Sequence, residues 1–155
     1  VPLTTEPVIR RAVPVDAAGL ARLDAAAAPW PWREEQYRKS CMVGAGNAEQ
    51  ALLLEHDGAL QGFVVFAREL DDGSIYNIVV ASAARRRGYA ALLLDAAIVA
   101  LADTGARRCL LEVRKSNTAA RRLYELAGFH FDGVRRNYYP LPEGREDAIL
   151  MSRDL

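Results

Sequence analysis

Cysteine and histidine are nearly absent from this chain: two cysteines, Cys41 and Cys109, and two histidines, His56 and His130, stand among 155 residues. That scarcity excludes a disulfide framework. With no His/Cys/carboxylate cluster at ligand spacing, no metal is expected either. Neither sign of charge is in excess, because 20 basic residues balance 20 acidic ones. A general electrostatic grip on nucleic acid is thereby excluded, although arginines can still cluster locally. No apolar run approaches the roughly 18 residues that cross a bilayer, and Val1 to Pro7 lack the charged and apolar regions of a secretory signal. The expectation is a cytoplasmic protein with reduced thiols, without a membrane or direct nucleic-acid partner; nothing in the sequence sets an oligomeric state. The first residue is not methionine, and residues 1–7 are expected to be flexible or foreign to the fold. Almost every basic residue is arginine and alanine is common, which reads as genomic composition bias rather than chemistry.

Repeats, low-complexity linkers and composition breaks are also missing, so one domain is expected over 1–155, long enough to bury a sizeable core. Val8 to Val13 reads as a first strand. Asp16 is placed to cap a helix from Ala17 to Ala28, Pro29-Trp30-Pro31-Trp32 interrupts it, and a short helix follows over Glu34 to Lys39. Gly44-Ala45-Gly46-Asn47 is a turn; it lacks the third glycine of a dinucleotide fingerprint. Ala51 to Glu55 and Gln61 to Glu69 form a hairpin through His56-Asp57-Gly58. Ile75 to Val80 is a buried strand. A helix over Ala91 to Asp103 stops at Gly105, a strand covers Cys109 to Val113, and a helix over Ala119 to Ala127 is capped by Asn117 or Thr118 and stopped by Gly128. Phe129 to Tyr139 and Asp147 to Ser152 are closing strands. The fold class is α/β (α+β), a mixed sheet with helices on both faces.

Between the strand Ile75 to Val80 and the helix lies Arg85-Arg86-Arg87-Gly88-Tyr89-Ala90. A strand that turns through basic residues and a glycine into a helix N-terminus is built to hold an anion. First-turn N–H groups lack intrahelical partners, and the helix dipole adds about half a positive charge there. Glu112, within the apolar strand, is costly unless paired or used. It either pairs with Arg114 or an arginine of the 85–87 loop, or serves as a proton acceptor whose basicity burial raises. Asn117 suffices as a helix cap by itself. Tyr124 lies two turns further along and shares a stripe with Ala120 and Ala127, as a core aromatic would.

The combination resembles the GNAT acetyltransferase superfamily. The resemblance rests on Asn77-Ile78-Val79-Val80, the Arg86-Arg87-Gly88-Tyr89-Ala90 loop, Leu111-Glu112-Val113-Arg114 with Ser116-Asn117, and Leu123-Tyr124-Glu125 with Gly128-Phe129. Arg135-Arg136-Asn137-Tyr138-Tyr139-Pro140 and Gly144-Arg145-Glu146-Asp147-Ala148 are similar to its RimI-type branch, whose members acetylate the N-terminal alanine of small-subunit ribosomal protein eighteen. It spans Ile75 to Met151, and Pro31-Trp32 with Glu34 and Tyr37 extends it toward the N-terminus. It implies a GNAT fold splayed near Val79 and acetyl-CoA as co-substrate, with no metal. Ile78, Val79 and Val80 would offer backbone groups to the acetyl thioester and pantetheine. Arg86, Arg87, Gly88, Tyr89, Ala90 and Ala91 would wrap the pyrophosphate, and Asn117 would hydrogen-bond the cofactor farther along. Glu112 would be the general base, through water, and Tyr124 the proton donor to the CoA thiolate. Tyr138 and Tyr139 would wall the pocket for a protein's N-terminal peptide. The family loop usually carries a second glycine at the position of Ala90; alanine fits only if its φ stays negative, since a left-handed conformation costs about 1–2 kcal/mol. Ala91 likewise replaces a basic side chain often found there.

A thioester is already activated, so the site need supply an uncharged amine, positioning and a proton for the leaving thiolate. An α-amine has a pKa about 2.5 units below that of lysine, which makes it about 3.4 kcal/mol easier to deprotonate at a given pH. A single carboxylate base therefore suits a protein N-terminus. The alternatives are a lysine or small-molecule amine as acceptor, against which Asn137-Tyr138-Tyr139 speaks, and a non-catalytic acyl-CoA-binding module, which would need neither Glu112 nor Tyr124. Cys109 as an acyl-carrying nucleophile is set aside, because no histidine is placed beside it by any motif.

Overall fold

A computed structural model describes residues 6–44 and 48–155. The expectations for residues 1–5, and for the turn at 45–47, lie outside the described residues. Strand β1 (Val8–Arg11), helices α1 (Ala17–Ala27) and α2 (Glu34–Ser40), strands β2 (Glu49–His56), β3 (Ala59–Glu69) and β4 (Asp72–Val80), helix α3 (Tyr89–Asp103), strand β5 (Arg108–Arg114), helix α4 (Thr118–Leu126) and strands β6 (His130–Leu141) and β7 (Gly144–Asp154) follow in order. The strands make one seven-stranded sheet in the order β1-β2-β3-β4-β5-β7-β6. Only β4 and β5 run parallel; every other pair is antiparallel. The hairpin between β2 and β3 turns on Asp57 and Gly58, both left-handed, as a two-residue turn matched to strand twist requires.

Both faces of the central strands are covered, which is why β3 is apolar almost without alternation. Val64 and Phe66 pack with Leu93, Leu94 and Leu101 of α3 on one face. Phe63 and Val65 pack with Leu20 of α1 and Tyr37 of α2 on the other. Gly73 on β4 marks the closest approach of helix to sheet. A Cβ there would stand 2.7 Å from both Leu101 methyls, and Leu101 is itself buried with nowhere to turn. Gly73→Ala is therefore expected to destabilise the fold by about 1–3 kcal/mol through overpacking. A urea midpoint equal to that of the unsubstituted protein would show that Leu101 can move aside.

Asp16 departs from expectation. A 3-10 turn over Pro14–Asp16 precedes α1, and the Asp16 side chain does not cap the helix. It receives both Nη1 and Nη2 of Arg10 at 2.9 Å and the Val13 N–H at 2.8 Å. The Arg10 guanidinium holds its carboxyl below the usual range. A charge-assisted, two-pronged pair outcompetes a neutral capping bond.

Candidate active site

The site begins where two strands part. β4 and β5 pair only from Asp72 with Arg108 to Ile75 with Leu111. Beyond that β4 stays on β3 while β5 stays on β7. The opening therefore starts at Tyr76 and includes Val79, where it was expected. A bulge contributes: Val65 pairs with Asn77 and Phe66 with Ile75, leaving Tyr76 extra. Bulges bend a strand and re-aim its side chains. One edge of Ile78, Val79 and Val80 is taken by β3; the other faces the gap. Val79 is buried against the α1–α2 side, whereas Ile78 and Val80 pack toward α3.

On β5, Cys109, Leu111 and Val113 are buried with α3 and Tyr124. By the two-residue alternation of a strand, Glu112 and Arg114 face the opposite way. This corrects the sequence reading of Glu112 as a carboxylate buried in an apolar strand: its side chain keeps 31% exposure. Its partner is also different. Arg135 of β6 forms an ion pair with Glu112 at 3.1 Å, and the Glu112 charge reaches the Tyr138 hydroxyl. Arg114 pairs with Glu146 at 3.0 Å instead, and the three loop arginines, Arg85, Arg86 and Arg87, lie exposed. The reason is sheet order. β7 lies between β5 and β6, and both Arg114 and Arg135 sit opposite the small Ala148.

Tyr138 and Tyr139 reach this region because β6 is not a regular strand. Arg135 pairs with Ala148 and Tyr139 with Glu146, so three residues bulge between them. Asn137 in this bulge is left-handed, with φ 51°. Its N–H donates to Asp147 Oδ1 at 2.9 Å, and Arg145 donates to the carbonyls of Asn137 and Tyr138 at 2.7 and 2.8 Å. The Gly144-to-Asp147 stretch thus clamps the bulge. The two tyrosine rings meet edge to face at 4.9 Å. The charge of Glu112 raises the Tyr138 hydroxyl. Burial, then Glu112, pushes that of Tyr139 up to about 12.

Tyr124 lies on the other face of β5, 8% exposed and edge to face with Phe129 at 5.8 Å. Its hydroxyl has no hydrogen-bond partner among the described residues. Yet no sealed-off side-chain polar atom among them lacks one, so this hydroxyl opens onto accessible space. Burial, followed by the nearby Tyr139 and Cys109, raises its pKa and keeps it protonated. Cys109 is deeply buried and pushed up to about 12 by that burial, unsuited to nucleophilic attack.

The loop Arg85 to Ala90 has two left-handed residues, Arg86 at φ 66° and Gly88 at φ 79°. Gly88 is the N-cap of α3 and brings no side chain to cap it. The first intrahelical bond runs from Leu92 N–H to the Gly88 carbonyl at 3.1 Å. The N–H groups of Tyr89, Ala90 and Ala91 precede it and remain as donors. A Cβ on Gly88 would meet nothing within 4 Å, so the cradle is open. Ala90 lies inside α3 and outside the left-handed set, so the absent second glycine costs nothing. Tyr89 differs from expectation in one respect: its ring is buried and its hydroxyl bonds His56 Nδ1 at 2.9 Å, leaving only its backbone for an anion. Asn117 spends its Oδ1 on the Ala120 N–H at 3.2 Å, the capping role, and keeps its amide NH₂ for other partners.

Two features escaped the sequence reading. Asp24, 1% exposed within α1, accepts the Tyr37 hydroxyl at 2.5 Å and the Trp32 N–H at 2.9 Å. Asn77 donates to the same hydroxyl at 2.9 Å, tying α1 and α2 to the strand that borders the gap. Arg114 stacks between Trp30 and Tyr139, 5.3 and 4.5 Å from their ring centroids. Burial alone would raise the Glu146 carboxyl, but its bonds from Ser116 and Arg114 prevail and lower it. An aspartate on an otherwise apolar helix stripe was the available signal for the first; nothing local signalled the second.

The sequence model of the acetyltransferase (GNAT) family matches residues 17–129. The [ribosomal protein bS18]-alanine N-acetyltransferase of Escherichia coli K12 is 37% identical over 123 residues, which are 79% of this chain and 80% of that protein. The protein of the same name in Salmonella typhimurium is 38% identical over the same shares. The crystal structure of the Escherichia coli ribosomal-protein-S18-alanine N-acetyltransferase superposes with a TM-score of 0.87 at 32% identity, covering 96% of this chain and 94% of that one. Acetyl-CoA is the donor in this family. Matched over most of its length, this chain belongs to the GNAT acetyltransferase family and is an N-acetyltransferase.

Proposed function

We propose that the enzyme acetylates the α-amine of a protein N-terminus by direct transfer from acetyl-CoA in a ternary complex, and that its natural target is the N-terminal alanine of ribosomal protein bS18. One catalytic domain over 1–155, in the cytoplasm, is part of the same reading. The observation that carries it is the pair Glu112 and Tyr124, on opposite faces of β5 at the gap left by β4. The choice of target rests on the likeness to the Escherichia coli enzyme.

Bound acetyl-CoA supplies an acetyl group already activated as a thioester. The donors at Arg86 to Ala91 fit its pyrophosphate: unpaired first-turn N–H groups, an open Gly88 and exposed arginines. The free edge of Ile78 to Val80 suits the pantetheine, and the amide of Asn117 lies farther along. Glu112 takes a proton from the substrate ammonium through water, and the freed amine attacks the carbonyl carbon. As the C–S bond breaks, Tyr124 gives its proton to the departing sulfur, the second proton of the attacking nitrogen returns through water to the tyrosine, and Glu112 releases the first to solvent. The products are the acetamide and CoA thiol. Tyr138 and Tyr139 wall the peptide pocket beside Glu112.

The test is mass spectrometry of two peptides incubated with the protein and acetyl-CoA. One begins Ala-Arg-Tyr-Phe with a free α-amine and no lysine; the other has a blocked N-terminus and one internal lysine. Acetylation of the first alone is expected. Acetylation of the second alone would move the assignment to lysine. Reaction of neither, with CoA still bound, would shift it to a small amine or to a binding module.

A further inference from the structure

Glu112, the base in the reading above, is occupied. Its Oε1 forms an ion pair with Arg135 Nη2 at 3.1 Å, and Tyr138 lies close enough for the carboxylate charge to act on its hydroxyl. Arg135 in turn lies over the Tyr138 ring, 4.9 Å from the centroid. Arg135, at the edge of the β6 bulge, is thus the cover on the carboxylate, backed by the Tyr138 ring from within the bulge. The cover is loosely held, because the Arg135 side chain is 52% exposed, and ion pairs at such exposure contribute little to stability. A group of like charge arriving at Glu112 exchanges one ion pair for another. Water arriving without the ammonium has no such exchange to offer, so the relay water enters with the amine.

This asymmetry matters for a thioester enzyme. Beside a bound acetyl thioester, a carboxylate without a counter-ion would also act as a base toward the water that reaches it. Water adding at the carbonyl carbon with loss of the C–S bond yields acetate and CoA thiol, and the donor is wasted. We propose that Arg135 is a specificity-determining residue, a displaceable cover on Glu112 that yields to the substrate ammonium and not to water. The inference rests on Glu112 being the base. Arg135 selects amine over water by competing with the ammonium for one carboxylate, at a modest cost in peptide affinity.

The test uses the full chain and Arg135→Gln, with Arg135→Lys as the charge-preserving variant. Without peptide, Arg135→Gln is expected to release CoA from acetyl-CoA about two- to fivefold faster, the range an exposed ion pair controls. Arg135→Lys should stay near the unsubstituted rate. In calorimetry without acetyl-CoA, Arg135→Gln should bind the free-amine Ala-Arg-Tyr-Phe peptide about two- to fivefold more tightly, because its competitor is gone. Binding of the N-acetylated peptide, which carries no ammonium, should not move. The double variant Glu112→Gln/Arg135→Gln should lose the gain in CoA release. Equal CoA release by Arg135→Gln, a gain that survives in the double variant, or weaker binding of the free-amine peptide would each overturn the proposal. Failure of the unsubstituted protein to acetylate the peptide removes the N-terminal reading alone, since the CoA-release comparison still decides the role of Arg135.

Discussion

Glu112→Gln is expected to lower turnover on an alanine-starting peptide by about 10²-fold or more at neutral pH, the scale of general-base catalysis. Glutamine keeps the size of the side chain and can still accept from Arg135, so the strand and the β6 bulge should survive; the basic carboxylate is what is lost. The loss should be largest below the α-amine pKa of about 8, where the substrate is mostly ammonium. It should shrink at higher pH, where solvent supplies the free amine. The measurement is kcat for both proteins between about pH 6 and 9, with acetyl-CoA saturating. Parallel profiles with equal rates would remove Glu112 from the mechanism and leave it a structural partner of Arg135.

Tyr124→Phe is the second large effect. Removing one hydroxyl from a ring already packed on Phe129 should leave the fold and acetyl-CoA affinity nearly intact, while turnover falls by about 10²-fold through loss of the proton for the thiolate. The sign of the pH dependence follows from burial. The Tyr124 hydroxyl sits above its ordinary value, so it stays protonated throughout neutral and mildly alkaline pH and imposes no alkaline loss there. A single-turnover assay separates chemistry from CoA release. Unchanged turnover would assign Tyr124 to packing, the role its place in the helix stripe already accounts for.

The elements were legible because their signals are local. Gly105 and Gly128 end α3 and α4 in left-handed conformations, Asn117 caps α4 through its own side chain, and Asp57-Gly58 closes a hairpin. Each choice is made within a few residues by sterics and backbone hydrogen bonding, so the chain states it directly. The turn from β4 into α3 at Gly88 was legible for the same reason. Where the reading slipped, the competition was between partners distant in sequence. Asp16 stands at a capping position but is claimed by Arg10. Glu112 was read as pairing with Arg114 or a loop arginine, or serving as the base, but meets Arg135 from β6.

What the sequence by itself determined is the order of strands and helices, the apolar faces that bury them, the basic turn that leads into α3, and the presence of Glu112 and Tyr124 at their spacing. What only the tertiary structure decided is the company those residues keep. Strand order puts β7 between β5 and β6, so Arg135 reaches Glu112 across Ala148 while Arg114 is drawn to Glu146 and stacked between Trp30 and Tyr139. The bulge that aims Tyr138 and Tyr139 depends on Arg145 and Asp147 from the neighbouring strand. Asp24, Tyr37 and Asn77 meet only because α1 and α2 pack on β4. A strand's alternation fixes which face a side chain takes, but which partner waits on that face is set by strands and helices from elsewhere in the chain.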